Sequence, residues 1–218
     1  MYYPFISRSA GRLLAAAAAL LLATAAHAVP QAQFQDARAL FIQAQAGDSA
    51  AIDKAAEAFG ALQHAEPDNP VLMAYAGAAT AMRASTTLLP WKKMTYAEDG
   101  MAMIDKALAL LTPAHNAAIQ NGTPEALQVR FVAANTFLAV PGFMNRGARG
   151  ATLLAEVLAS PLFAQAPLGF QGAVWLRAAK LAEADKRLDD ARKYLGEVIN
   201  RNAPQADAAR AQLAALPS

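Results

Sequence analysis

Residues 175–204 read WLRAAKLAEADKRLDDARKYLGEVINRNAP: an apolar stripe led by tryptophan, a polar break, and a second stripe closed by proline. Trp175, Ala178, Ala179 and Ala182 recur at three- and four-residue spacing, which puts them on one face of a helix. After the break Ala191 and Leu195 repeat that spacing, and Pro204 ends the run because it has no amide hydrogen with which to continue a helix. Such a stretch is a helical hairpin. Far upstream the second half of the pattern returns as Ala55-x3-Phe59 with Pro67 beyond it. The small residues have a physical role: Ala76 and Ala179 fall where a first helix meets its partner, and Ala55 and Ala191 where the second packs back. Large side chains there would hold the helices apart. A single hairpin buries its apolar face only against another hairpin, so the pattern predicts a stack.

The rest of the chain agrees. Alanine dominates, β-branched runs are missing, and Gly47-Asp48, Pro67-Asp68-Asn69-Pro70, Leu89-Pro90, Thr112-Pro113, Gly122-Thr123-Pro124, Val140-Pro141-Gly142, Ser160-Pro161, Ala166-Pro167 and Ala203-Pro204 punctuate it. Helices are expected at about 34–46, 49–65, 70–87, 95–111, 124–138, 146–159, 168–184, 188–201 and 204–215. They make four antiparallel hairpins and a closing helix that caps the open end. Asp48, Asn69 and Thr123 are candidate N-caps, and Glu98-Asp99 and Asp189-Asp190 suit first helical turns, where carboxylates complement the helix dipole.

These residues resemble the tetratricopeptide repeat family, whose unit opens on Trp-x2-Leu-Gly-x2-Tyr, continues with Ala-x3-Phe and ends on proline. The last unit matches through Trp175, Ala178, Ala179, Ala182, Ala191, Leu195 and Pro204. The first matches through Ala39, Ile42, Gln43, Ala46, Ala55, Phe59 and Pro67, without the aromatics and glycine of its first helix. Leu72, Tyr75, Ala76 and Ala79 fit the next first helix, and Gly100, Ile104, Ala107 and Thr112 its partner once an insertion is allowed; residues 113–160 depart from the motif. The chain is also similar to exported bacterial proteins with degenerate repeats, a group with no single assigned activity. The resemblance implies an all-α, TPR-like α-solenoid whose first helices line a binding groove, nominating Met73, Gly77, Thr80, Leu176, Lys180 and Glu183. It implies a non-enzymatic scaffold for a peptide or protein partner in the cell envelope.

The N-terminus predicts export. Arg8 and Arg12 precede an apolar run from Leu13 to Ala26 and an Ala26-His27-Ala28 ending, so residues 1–28 read as a cleaved signal peptide and 29–218 as a single helical domain. The run is shorter than the roughly 20 residues of a membrane-spanning helix; retention by an uncleaved N-terminal anchor is the alternative to a soluble periplasmic protein. The chain has no cysteine, which removes lipidation at the cleavage site, disulfides and thiolate metal sites. Its 19 basic and 17 acidic residues come to parity once Arg8 and Arg12 leave with the signal. A neutral mature chain has no global field for nucleic acid or anionic membrane.

Motifs for chemistry are missing. His64 and His115 stand in no metal-binding spacing; His64 suits a helix C-terminus and His115 reads as surface. No Gly-x-Ser-x-Gly elbow occurs, Ser85 to Thr87 have no evident base, and the carboxylates are too scattered for a glycosidase pair. No cofactor or metal is expected, and a hydrolase with an unrecognised site is the remaining enzymatic alternative.

Two segments stand out. Residues 140–150, VPGFMNRGARG, set Arg146 and Arg149 among glycines at a helix start, where amides and guanidinium groups can hold an anion; Arg130 can join them. This would serve a carrier or sensor of a small anionic ligand. The alternative role is structural, with the glycines allowing a close crossing and the arginines pairing with acids of a neighbouring hairpin. Residues 86–96, TTLLPWKKMTY, join Trp91 to Lys92 and Lys93, a composition suited to a partner surface or to a local core under the hairpin.

Overall fold

The computed structural model describes residues 31–119 and 122–217, so the expected signal segment 1–28 lies outside the described residues. Among the described residues nine α-helices follow one another: α1 Gln31–Gln45, α2 Ser49–Ala65, α3 Pro70–Met82, α4 Pro90–Ala109, α5 Glu125–Phe137, α6 Gly147–Ala159, α7 Leu168–Ala184, α8 Leu188–Asn200 and α9 Ala206–Ala215. The one extended pairing is two residues long, β1 Ala118–Ile119 antiparallel to β2 Thr123–Pro124. The fold is all-α.

Cap chemistry sets several helix starts. The Asp48 carboxylate accepts from the amides of Ala50 and Ala51 at 2.9 and 3.3 Å, and the Asn69 side chain from Val71 and Leu72 at 3.0 and 3.2 Å. Thr123 does not cap α5; it is paired in β2, its carbonyl accepts from Gln128 Nε2, and Glu125 takes the first turn. Asp189 and Asp190 occupy the first turn of α8. Glu98 and Asp99 lie well inside α4, because that helix starts at Pro90 instead of residue 95. Proline at the first helical position loses no hydrogen bond, so the Trp91 segment winds into the first turns of α4. Helix α3 correspondingly stops at Met82 and tightens into a 3₁₀ turn over Arg83–Ser85.

Each odd-numbered helix packs most extensively on its successor: α1 on α2, α3 on α4, α5 on α6 and α7 on α8, with α9 against α8. Contacts of α3 with both α2 and α5 tie these pairs together. The α3/α4 crossing is closest at two glycines: a Cβ on Gly77 would stand 2.6 Å from the Gly100 carbonyl oxygen and 2.9 Å from Met103 Cβ. Backbone meets backbone there, and no side chain fits. In the first pairs Tyr75 stacks on Phe59 at 4.8 Å and receives the edges of Phe34 and Phe41 at 5.7 and 5.1 Å. Burying a ring such as Phe59 contributes about 1.5–3 kcal/mol.

The motif residues of the last unit, Trp175, Ala178, Ala179, Ala182, Ala191 and Leu195, are all buried. The first helix differs from expectation: Ala39, Ile42, Gln43 and Ala46 face outward, and the buried stripe of α1 is Phe34, Ala37, Phe41 and Ala44. Its aromatics are therefore present, at Phe34 and Phe41. The chain turns into α2 through Gly47, whose φ of 101° is the left-handed conformation that glycine adopts without strain.

Candidate functional site

A groove of about 1070 Å³ opens across the odd-numbered helices. Phe41, Ala44 and Gln45 come from α1, Ala78, Ala81 and Met82 from α3, and Phe131, Asn135 and Thr136 from α5. Helix α7 adds Ala173, Leu176, Arg177 and Lys180, and Gln205 and Gln212 close the far end. The start of α4, with Pro90, Lys93 and Met94, and the turn after α5, with Val140, Phe143 and Met144, form the rim. The wall is mostly apolar. Its charged members are Lys93, Arg177 and Lys180, and no carboxylate lines it.

Arg177 stands at Leu176+1 and Lys180−3, and the helical period therefore turns all three toward the same side. Its Nη2 donates to the Asn135 carbonyl at 3.2 Å, and its Nε is buried without a partner. Burial holds its guanidinium below the usual arginine range, yet arginine remains a cation at neutral pH. Among the described residues every other arginine except Arg38 has a carboxylate within 4.0 Å, and Arg38 bonds the Tyr75 hydroxyl. Of the three cations lining the groove, Lys93 and Lys180 are exposed and Arg177 is the half-buried one. It was missed in the sequence because no motif flags it; the signal was its helical register with Leu176 and Lys180.

The expected groove residues divide. Leu176, Lys180 and Lys93 line the groove, and Glu183 stands beside it, accepting from Gln212 Nε2 at 3.1 Å. Met73 is buried in the core, Gly77 is buried at the α3/α4 crossing, and neither they nor Thr80 belong to the groove lining. The face of α3 that does line the groove is one residue further round, at Ala78 and Ala81. Trp91 and Lys92 are exposed on the outer side of the rim; Trp91 keeps 66 % of its surface, Leu88 91 % and Phe143 68 %.

The first part of the arginine-glycine turn contributes to the rim, but its arginines, Arg146 and Arg149, lie outside the groove lining. Arg146 Nη2 and Arg149 Nη1 both reach Asp105 of α4, at 3.0 and 2.5 Å, and both guanidinium groups lie over the Phe137 ring at 5.3 and 5.4 Å. Arg130 pairs with Glu156 at 3.3 Å. Gly150 supplies a close crossing, since a Cβ there would stand 2.8 Å from Leu138 Cγ and 3.1 Å from the Ala134 carbonyl oxygen.

His115 is half-buried: its side chain is 21 % exposed, its Nδ1 accepts from the Thr112 amide at 2.9 Å, and its Nε2 stands 3.9 Å from Glu125 Oε2. His64 is exposed in the last turn of α2, where a cation complements the dipole. Among the described residues no three His, Cys, Asp or Glu side chains are placed to hold a metal, and no helix is long and apolar enough to cross a membrane. No protein-family model, no curated protein and no solved structure matches this chain.

Proposed function

We propose that this chain is an exported, non-enzymatic binding protein of the cell envelope that carries or senses a small, largely apolar ligand in the groove across its odd-numbered helices. Its hairpins serve as a TPR-like frame, and removal of residues 1–28 leaves a soluble periplasmic domain. The observation that carries the reading is the groove itself: about 1070 Å³ with a mostly apolar wall is room for an elongated small molecule. Two of its amides are already engaged inside the chain, Gln205 Nε2 on the Gly169 carbonyl at 2.9 Å and Gln212 Nε2 on Glu183. An apolar ligand body asks nothing of them, whereas a peptide backbone would need such partners.

The test is fluorescence titration with a panel of apolar small molecules, neutral and anionic, against the parent and Leu176→Glu. Saturable binding by the parent, weakened at least tenfold in a variant that still melts cooperatively, is expected. Absence of binding by every member of the panel overturns the reading.

A second reading, the peptide or protein scaffold, is favoured by the exposed rim of Leu88, Trp91 and Phe143, since aromatic and aliphatic side chains outside a core suit a partner's surface. A photo-cross-linking residue at Trp91 should then capture one defined envelope protein, and the same residue at exposed Lys54 on α2 should not. Equal, diffuse labelling from both positions removes this reading.

A further inference from the structure

Resting on the carrier reading, we infer that the ligand is a single-chain amphiphile with a carboxylate head, a long-chain monocarboxylate whose head is bound by Arg177 and whose alkyl tail fills the apolar groove. Three observations converge. First, Arg177 is partly buried on the groove wall, and only a carbonyl, that of Asn135, satisfies its guanidinium. A desolvated cation costs free energy unless an anion joins it, and guanidinium presents two parallel donors that match the two oxygens of a carboxylate. Second, the other lining charges are Lys93 and Lys180, both exposed, so the groove has one buried site for one anionic head. The nearest acid named at the groove's edge, Glu183, is held by Gln212. Third, the wall beyond Arg177 is alkyl and aromatic through Leu176, Phe131, Met144 and Met82 to Phe41 and Ile52. That wall supports a hydrocarbon tail, and each buried methylene adds about a factor of three to four in affinity.

The rim fits the delivery of such a ligand. Met94 and Phe143 are exposed where they line the mouth, and Lys93 is exposed in the same lining. A monocarboxylate leaving a membrane or micelle would meet apolar side chains and a cation first, then Arg177 deeper in.

The experiment titrates the purified mature protein, 29–218, with cis-parinarate, its methyl ester and shorter saturated carboxylates as competitors, on parent, Arg177→Met and Arg177→Lys. The parent is expected to prefer the acid to the ester by about ten- to a hundredfold, the range of a hydrogen bond to a charged group. Removing two methylenes from a competitor should weaken it about tenfold. Arg177→Met is expected to abolish the acid-over-ester preference while retaining ester binding, and Arg177→Lys to keep part of the preference. Without ligand, Arg177→Met should melt at a higher temperature than the parent, because it removes a buried charge, whereas a merely structural arginine would lower it.

Equal binding of acid and ester by the parent, unchanged in Arg177→Met, overturns the carboxylate assignment and leaves the carrier reading standing. Binding of neither probe, or displacement of both by apolar peptides alone, overturns the two together. Should Arg177→Met fail to fold, the acid-to-ester ratio on the parent and on Arg177→Lys decides the assignment by itself.

Discussion

Helix α5 separates two regions that treat the same side chain in opposite ways. Toward α4 and α6, Arg146 and Arg149 share Asp105 over the Phe137 ring and Arg130 meets Glu156, so each cation has an anion. Toward α7, Arg177 reaches only the carbonyl of Asn135 and opens on the groove. The difference teaches that clustering of arginines is a poor guide to anion binding. What matters is the charge left over after the chain has satisfied itself, and that charge is on the groove side.

The most damaging way to break this comparison is at the crossing that holds the paired side together. Gly150→Val would drive a branched side chain against Leu138 and the Ala134 carbonyl, with no flexible neighbour wholly able to yield. Overpacking of this kind costs about 2–3 kcal/mol. Denaturant unfolding should read that loss, and a shift below about 0.5 kcal/mol would mean that α6 is free to move away from α5.

Asp105→Ala sharpens the comparison by turning the paired side into an unpaired one. The partners are partly exposed, Asp105 with 31 % and Arg146 with 28 % of its side-chain surface, so the loss of stability should be modest, about 1 kcal/mol. The informative change is a new one: phosphate at millimolar concentration should raise the melting temperature of Asp105→Ala and leave the parent unmoved. A parent that responds equally would show that the turn binds anions despite Asp105, as the isolated sequence of residues 140–150 suggested.

The fold was legible where helix packing follows a strict period. Trp175, Ala179, Ala191 and Leu195 are buried as their spacing requires, and among the described residues nine helices follow one another in the predicted order. What was not legible depended on rotation about a helix axis. Met73 and Gly77 were assigned to the groove, but the close approach of α3 and α4 at Gly77 and Gly100 turns that face inward and presents Ala78 and Ala81 instead. A one-residue change of register is about 100° of rotation, and only the partner helix decides it. The site had the same limit. The repeat pattern points to Leu176 and Lys180 as groove residues but not to Arg177 between them, because its lack of an acid is a fact about three dimensions.

The acid at the start of α5 tests the comparison most finely, with the smallest effect and a definite sign. Glu125 opens the helix, is 8 % exposed, and burial raises its carboxyl above the ordinary range; His115 opposes that rise and Glu66 adds to it. The Thr112 amide donates to His115 Nδ1, so the neutral ring presents its Nε2 hydrogen toward Glu125, but at 3.9 Å it makes no short hydrogen bond. The folded chain therefore binds the Glu125 proton more tightly than the unfolded chain does. Its contribution favours folding at low pH, falls as pH rises from the ordinary carboxylate value through the raised folded one, and is a constant penalty above that. Glu125→Gln keeps the shape without the titration, so its stability relative to the parent should grow across that window and then level off. If the variant instead loses ground as pH rises, the His115 contact outweighs burial, and Glu125 belongs with the satisfied charges of the paired side and not with Arg177.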